Sequence, residues 1–486
     1  MTRPFAMAGA IAGAELRLML RSRLALVGVA TLLLLSGIAA VTSAVQTASA
    51  SATRAAAQAA TDAQFQTQPD RHPHRMVHYG TYALRPVGPL AAFDSGVDAF
   101  TGTVLFLEGH RQNSATFGAA RESSDLVRFG QLTPAFVLQT LAPLLLVFLG
   151  FAAVARERER GSLRALRSHG ATAAGILAGK VLALGAVALL AMAPALVALL
   201  WSALRHPGEG GIAALIALAY AAYLLVWVIG ITAVSALART AQGALVALIA
   251  AWAIITVLVP RAAAGWAGVA DPLPTRVDTE FAIAADLRRL GDSHNPDDKY
   301  FAAFKARILD RYGVTSTDDL PVNYRGLVAA EGERLTSELF ANYAARADAI
   351  QRGQSARLQA LGVISPALAV RQASMVGAAT DLGTHLAFMN RAEAYRYDLI
   401  QRLNALQANQ VSSADDGARS RDPLADQRTR ISADFWKTMP QFHLAAPAPA
   451  TRATAMLPAL GLLGLWLAIS ALLLALARRT LDRTAE

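Results

Sequence analysis

Cysteine is absent from all 486 residues. Its absence excludes disulfides, thiol catalysis and zinc sites of the cysteine type, so any exported region must hold together by packing alone. Charge is scarce too. Asp, Glu, Lys and Arg make up 16% of the chain against 54% hydrophobic residues, and the mean hydropathy is +0.36. These values exclude an ordinary soluble globular protein. The interiors of the long apolar runs hold no Asp, Glu, Lys or Arg. A proton- or ion-coupled carrier usually needs such groups there, which argues against secondary transport, although polar side chains and backbone leave sodium binding open. Catalytic patterns are missing as well. GILAGK (175–180) resembles part of a phosphate-binding loop, but Ala174 stands where glycine is required and Val181 where Ser or Thr is required. No HExxH, GxSxG or Ser–Lys arrangement marks a hydrolase.

What is present is a set of apolar runs punctuated by short basic segments. The net charge of +10 raises the question of nucleic acid. However, residues 46–131 carry seven basic and seven acidic side chains, and residues 264–452 carry twenty-two of each. The whole excess therefore sits beside the apolar runs, following the inside-positive bias, and no nucleic-acid partner is expected. Spans are expected at 24–45, 132–155, 181–204, 212–237, 244–260 and 454–477, each matched to about 30 Å of hydrocarbon. The fifth is short, so Arg261 is expected to reach back to the outer interface.

Residues 1–23 read as an amphipathic helix on the cytosolic surface rather than a cleavable signal. Arg21 and Arg23 before the first span, and Arg478, Arg479 and Arg483 in the tail 478–486, place both termini inside. Two inserts then lie outside. Insert 46–131 opens with an Ala/Ser/Thr/Gln-rich helical stalk and continues into compact turns with short extended pieces. Insert 264–452 reads as mainly helical, with segments at 279–290, 296–312, 326–361 and 365–408, the last broken near Gly377–Gly383. Val328, Leu335, Leu339, Tyr343, Ala347 and Ile350 keep one apolar face over several turns. These long helices serve as a binding surface or as a bundle packing on a second copy. The aromatic residues of the spans, Tyr220, Tyr223, Trp227, Trp252 and Trp466, read as packing and interface anchors.

The cytosolic loop 156–180 is dense in charge: Arg156, Arg158, Arg160, Arg164, Arg167 and Lys180 against Glu157 and Glu159. Gly161 breaks the alternating run, Ser162 can cap a short helix, and Leu163 and Leu166 share one of its faces. Gly170 ends that turn and Thr172 can cap the next helix. A short basic interfacial helix braced at both ends is expected, with a cytosolic partner pressing on it. His72, His74, His78 and His110 are the candidate metal ligands, since His-x-His can chelate. Pro73 between two of them, and the lack of Cys or a Met cluster, favour hydrogen-bonded or solvated histidines, and no metal is assigned.

The loop as a whole, Arg156-Glu157-Arg158-Glu159-Arg160-Gly161-Ser162-Leu163, then Gly170, then Gly179-Lys180, resembles the E-R-E-x-G-T-L … G-K loop of ABC-2 type permeases. Ser162 stands where that family more often has Thr. The blocks at 78–113, 320–327 (LPVNYRGL), 365–375 (SPALAVRQASM) and 392–404 (AEAYRYDLIQRLN) look like the branch with a DUF3526 domain. The resemblance implies an all-α polytopic fold, a six-span permease of the ABC-2 or type V exporter-like kind with two extracytoplasmic inserts. It further implies a bacterial inner-membrane location, a second permease subunit, surrounding lipid, and a separate ABC ATPase that holds ATP and Mg2+. This chain would bind no cofactor itself. Glu157, Arg158, Glu159, Gly161, Ser162, Leu163, Arg164 and Arg167 would form the coupling loop on that ATPase. A mechanotransmitter that moves its inserts without passing a substrate is the other reading that the Ala/Leu-rich spans allow.

Overall fold

The computed structural model describes residues 3–116, 131–292, 295 and 297–483. Residues 117–130 of the first insert, Pro296 of the expected helix 296–312 and the last three residues of the tail lie outside the described residues. Among the described residues the fold is all-α apart from one hairpin. Helix α1 (Arg3–Arg21) is followed at once by α2 (Arg23–Gln66), with Ser22 capping α2 through a hydrogen bond accepted from the Ala25 N–H. Six helices among the described residues are long and apolar enough to cross a membrane. They are α2, α4 (Pro134–Glu159), α6 (Ala173–Arg205), α7 (Gly210–Leu237), α8 (Ala241–Ala270) and α17 (Pro449–Arg483). Between α4 and α6 lies the short helix α5 (Ser162–Ser168). Helix α7 is central, with 56% of its apolar stretch buried, against 11% for α8.

Two of these helices carry a wide turn, Val137–Leu141 in α4 and Ala253–Leu258 in α8. Each precedes a proline, Pro143 or Pro260, whose ring and missing N–H cannot fit the regular ladder. Neighbouring side chains satisfy carbonyls in these turns. The Tyr223 hydroxyl donates to the Gln139 carbonyl at 2.8 Å, Trp252 Nε1 to Thr140 at 3.1 Å, and the Ser365 hydroxyl to Ile255 at 2.6 Å. The aromatic anchors of the spans thus serve the backbone as well as the packing. Helix α8 runs through Pro260 to Ala270, so Arg261 sits within a continuing helix.

The first insert grows out of the bundle without a break in the helix. The stalk and first span form one 44-residue helix, α2, about 66 Å long at 1.5 Å per residue. It leads to α3 (Pro73–Tyr79) and the antiparallel hairpin β1 (Thr81–Leu84) and β2 (Val104–Leu107), with Thr81 opposite Leu107. The larger insert contains α9 (Arg276–Leu290), α10 (Lys299–Tyr312), α11 (Tyr324–Ala360), α12 (Pro366–Ala378) and α13 (Leu382–Gln410). Three short helices follow, α14 (Ser413–Ala418), α15 (Pro423–Arg428) and α16 (Asp434–Thr438). Helices α11 and α13 pair, α9 lies on α11, and α3 and β2 lie on α13. Helix α12 differs from its neighbours. Its Ala369, Val370 and Ala373 join the main core with Ile216 and Tyr220 of α7 and Met456 of α17. At its end a Cβ on Gly377 would come 2.8 Å from Ile216, so only glycine allows the approach.

The two inserts are one body, which the linear order hides. Arg71 bridges to Ile431, Trp436 Nε1 donates to the Pro69 carbonyl at 3.0 Å, and the Arg396 guanidinium donates to the Glu108 carbonyl at 3.1 Å.

Candidate coupling site

At the end of the bundle opposite the inserts, the charged loop folds as two short helical pieces. The tail of α4 breaks at Gly161, whose φ of +74° favours glycine, and α5 follows. Gly161 itself is the N-cap and contributes no side chain. Ser162, expected to cap, is instead the first residue of the helix, and its hydroxyl donates back to the Glu157 carbonyl at 3.3 Å. Gly170, at φ +85°, ends the turn, and the Thr172 hydroxyl caps α6 by accepting from Gly175 N–H at 3.0 Å.

The acidic and basic residues of the loop divide into two sets. Glu157, Arg158 and Glu159, read from sequence as contacts to a partner, are engaged within the chain. Arg158 donates to the Ala236 carbonyl at 2.5 Å and to that of Ala238, at the C-terminal end of α7 where a cation is favoured. Glu159 accepts from the Ala241 N–H at 2.9 Å, at the N-terminus of α8 where an anion is favoured. Glu157 pairs with Lys180 of α6 at 2.5 Å, and Lys180 pairs in turn with Glu15 of α1 at 2.6 Å. Lys180 is buried, at 3% exposure. The Ser235 hydroxyl accepts from the N–H groups of Val154 and Ala155. One short run of sequence thus clamps four helices.

The second set faces away from this clamp. Arg160, Gly161, Ser162 and Arg164 are exposed, while Leu163 is half-buried on the cluster of Val154, Leu177, Ala477 and Leu481. Arg167 pairs with Asp482 of α17 at 3.2 Å. A cleft of about 640 Å³ opens between α5 and the end of α17, lined by Leu163, Arg164, Arg167, Ile176 and Leu481.

Sequence reasoning missed the partners of Lys180. The available signal was Glu15, the one acid in the amphipathic helix. It also missed Arg452, which is buried with Glu209 and donates to the Gly377 carbonyl at 2.7 Å, tying α17, α7 and α12 together on the insert side. Among the candidate metal ligands, His72 is buried, its Nε2 3.2 Å from Asp416 and its Nδ1 accepting from the His74 N–H. Asn323 and Gln407 also donate to Asp416, and these contacts, against the cost of burial, hold its carboxyl well below the usual range. His74, His78 and His110 lie beside one another. Among the described residues, no group of three His, Cys, Asp or Glu side chains is set to hold a metal ion as it stands.

A polytopic helical bundle with a basic loop clamped beneath it and a helical insert above it defines a transporter-like membrane subunit. The profile of the ABC-2 family transporter protein matches residues 9–277, just over half of the chain, and that of a domain of unknown function (DUF3526) matches residues 279–445. The chain belongs to the ABC-2 transporter family, with a DUF3526 domain as its larger insert. It is the membrane permease component of an ABC transporter, of a kind that normally lacks nucleotide-binding motifs and works with an ABC ATPase. No curated protein and no solved structure matches it.

Proposed function

We propose that this chain couples ATP hydrolysis by a separate ATPase subunit to export across a bacterial inner membrane, with the loop at the cytoplasmic face and the inserts in the periplasm. The observation that carries the reading is the division of the loop. Glu157, Arg158 and Glu159 grip α6, α7 and α8, with Lys180 carrying the hold on to α1, while Arg160 and Arg164 stay exposed for a partner. A push on α5 would reach four helices through these four side chains. The open faces of α2 and α8 suit a second permease subunit. Replacing Arg160 and Arg164 together by Glu should abolish co-purification of the ATPase while leaving the permease folded, because neither side chain serves the clamp. Undiminished co-purification would remove the docking assignment.

The unbroken α2 and the seating of α12 in the bundle core favour a second reading, a mechanotransmitter whose inserts move while no substrate crosses. Counterflow or vesicle uptake that depends on ATP would decide for export. ATP-dependent change in the inserts without any flux would decide for the mechanotransmitter.

A further inference from the structure

His74 and His78 stand one turn apart on α3, with Nε2 atoms 3.2 Å from each other. His110, from the loop after β2, brings its ring centre to 5.5 Å from that of His78 and 6.2 Å from that of His74, and the first two rings are 4.8 Å apart. Imidazole nitrogens about 2.0–2.1 Å from a tetrahedral ion stand roughly 3.3 Å apart and place their ring centres about 5 Å apart. The observed triangle is close to that size. The placement of His110 is specified by the fold rather than by chance. Its backbone is left-handed, at φ +64°, a conformation uncommon outside glycine. Its N–H donates to Glu333 at 2.9 Å, and its Nδ1 lies 3.4 Å from the same buried carboxylate. A carboxylate against one ring nitrogen is the usual support of a metal-ligating histidine. His78 is exposed, which leaves an entry path.

We propose that His74, His78 and His110 bind a transition-metal ion that favours imidazole, Zn2+ or Cu2+, with water in a fourth position. The rings do not converge as they stand. Closure would turn the rings so that their nitrogens converge, the ring centres being already near working distance. The bound ion would join α3 to the β2 loop and, through Glu333, to α11. This assignment does not depend on whether the subunit exports or transmits.

The test uses the full chain in detergent, purified without an oligohistidine tag. Calorimetric titration with Zn2+ should show one site per chain, weakened at least tenfold by His78→Ala. It should be weakened as much by His110→Asn, which keeps a residue that tolerates the left-handed backbone. His206→Ala, in the loop between α6 and α7, should bind as the parent does. Cu2+ on the parent should give an electron paramagnetic resonance spectrum with nitrogen couplings that His78→Ala simplifies. Absence of stoichiometric uptake, or equal uptake by folded His78→Ala and His110→Asn, overturns the assignment.

Discussion

Lys180 illustrates what a single charge does at the membrane boundary. A buried ion pair is not stabilising by default, because desolvation offsets attraction. Removing one partner is costly nonetheless, about 3–5 kcal/mol, since the others stay buried and uncompensated. Here one ammonium serves two carboxylates, Glu15 and Glu157, from two segments. Lys180→Met should therefore lower the melting temperature of the purified permease clearly. Adding Glu15→Gln and Glu157→Gln should recover much of that loss, because no charge is then stranded. A single variant that melts with the parent would show that the triad is no constraint. From the sequence, Lys180 reads as the end of the Gly179-Lys180 element and the last charge before an apolar run. Its partners are 165 and 23 residues away, and no local pattern announces such a meeting.

Among the elements, α1 is held by shape as much as by charge. A Cβ on Gly179 would lie 2.7 Å from the Cβ of Ile11 and 2.9 Å from the Ala8 carbonyl, both on α1, and one on Gly175 would lie 2.8 Å from Met7. The paired Gly179-Lys180 thus has a physical reading: the glycine lets two helices touch and the lysine ties them. Gly179→Leu should force α1 off α6, since overpacking of a close contact costs about 1–3 kcal/mol. The chain has no cysteine, so Ala8→Cys, at a buried position, gives a single reporter. Its labelling by a water-soluble maleimide should rise several-fold in the Gly179→Leu background, and unchanged labelling would mean that α1 docks without this contact. Elements of this kind differ in how far they can be read in advance. The six apolar helices were legible because a run of hydrophobic residues long enough to span hydrocarbon has few other uses. The wide turns before Pro143 and Pro260 were not, since a proline alone signals a kink without saying which carbonyls find new donors. Helix α12 looked like any amphipathic piece of the insert; its small residues become meaningful only beside Ile216 and Met456. In the charged loop 156–180 the residue types and glycine stops were readable, but which charges turn inward depends on where α7 ends and α8 begins.

For the molecule as a whole, the matched domain at 279–445 does not supply all the partners of its own buried groups. His72 of the first insert supplies a partner to buried Asp416, the His110 N–H supplies one to buried Glu333, and Pro69 caps Trp436 through its carbonyl. Expressed alone, residues 276–445 should lack these groups and fail to form a compact, cooperatively melting domain, because each buried carboxylate and the Trp436 N–H would lose one hydrogen-bond partner with no water to replace it. Size-exclusion chromatography and circular dichroism melts would decide, and a monomeric fragment with a sharp transition would contradict the single-body reading. The continuity of α2 has a mechanical meaning as well. Beyond Val45 it continues for 21 residues to Gln66 without a break, about 30 Å of rod at helical rise. A tilt of about 10° in the bilayer would carry its far end sideways by roughly 5 Å over that length. As a lever arm, α2 would turn a small rocking of the first span into a displacement of several ångström at the end that carries the hairpin.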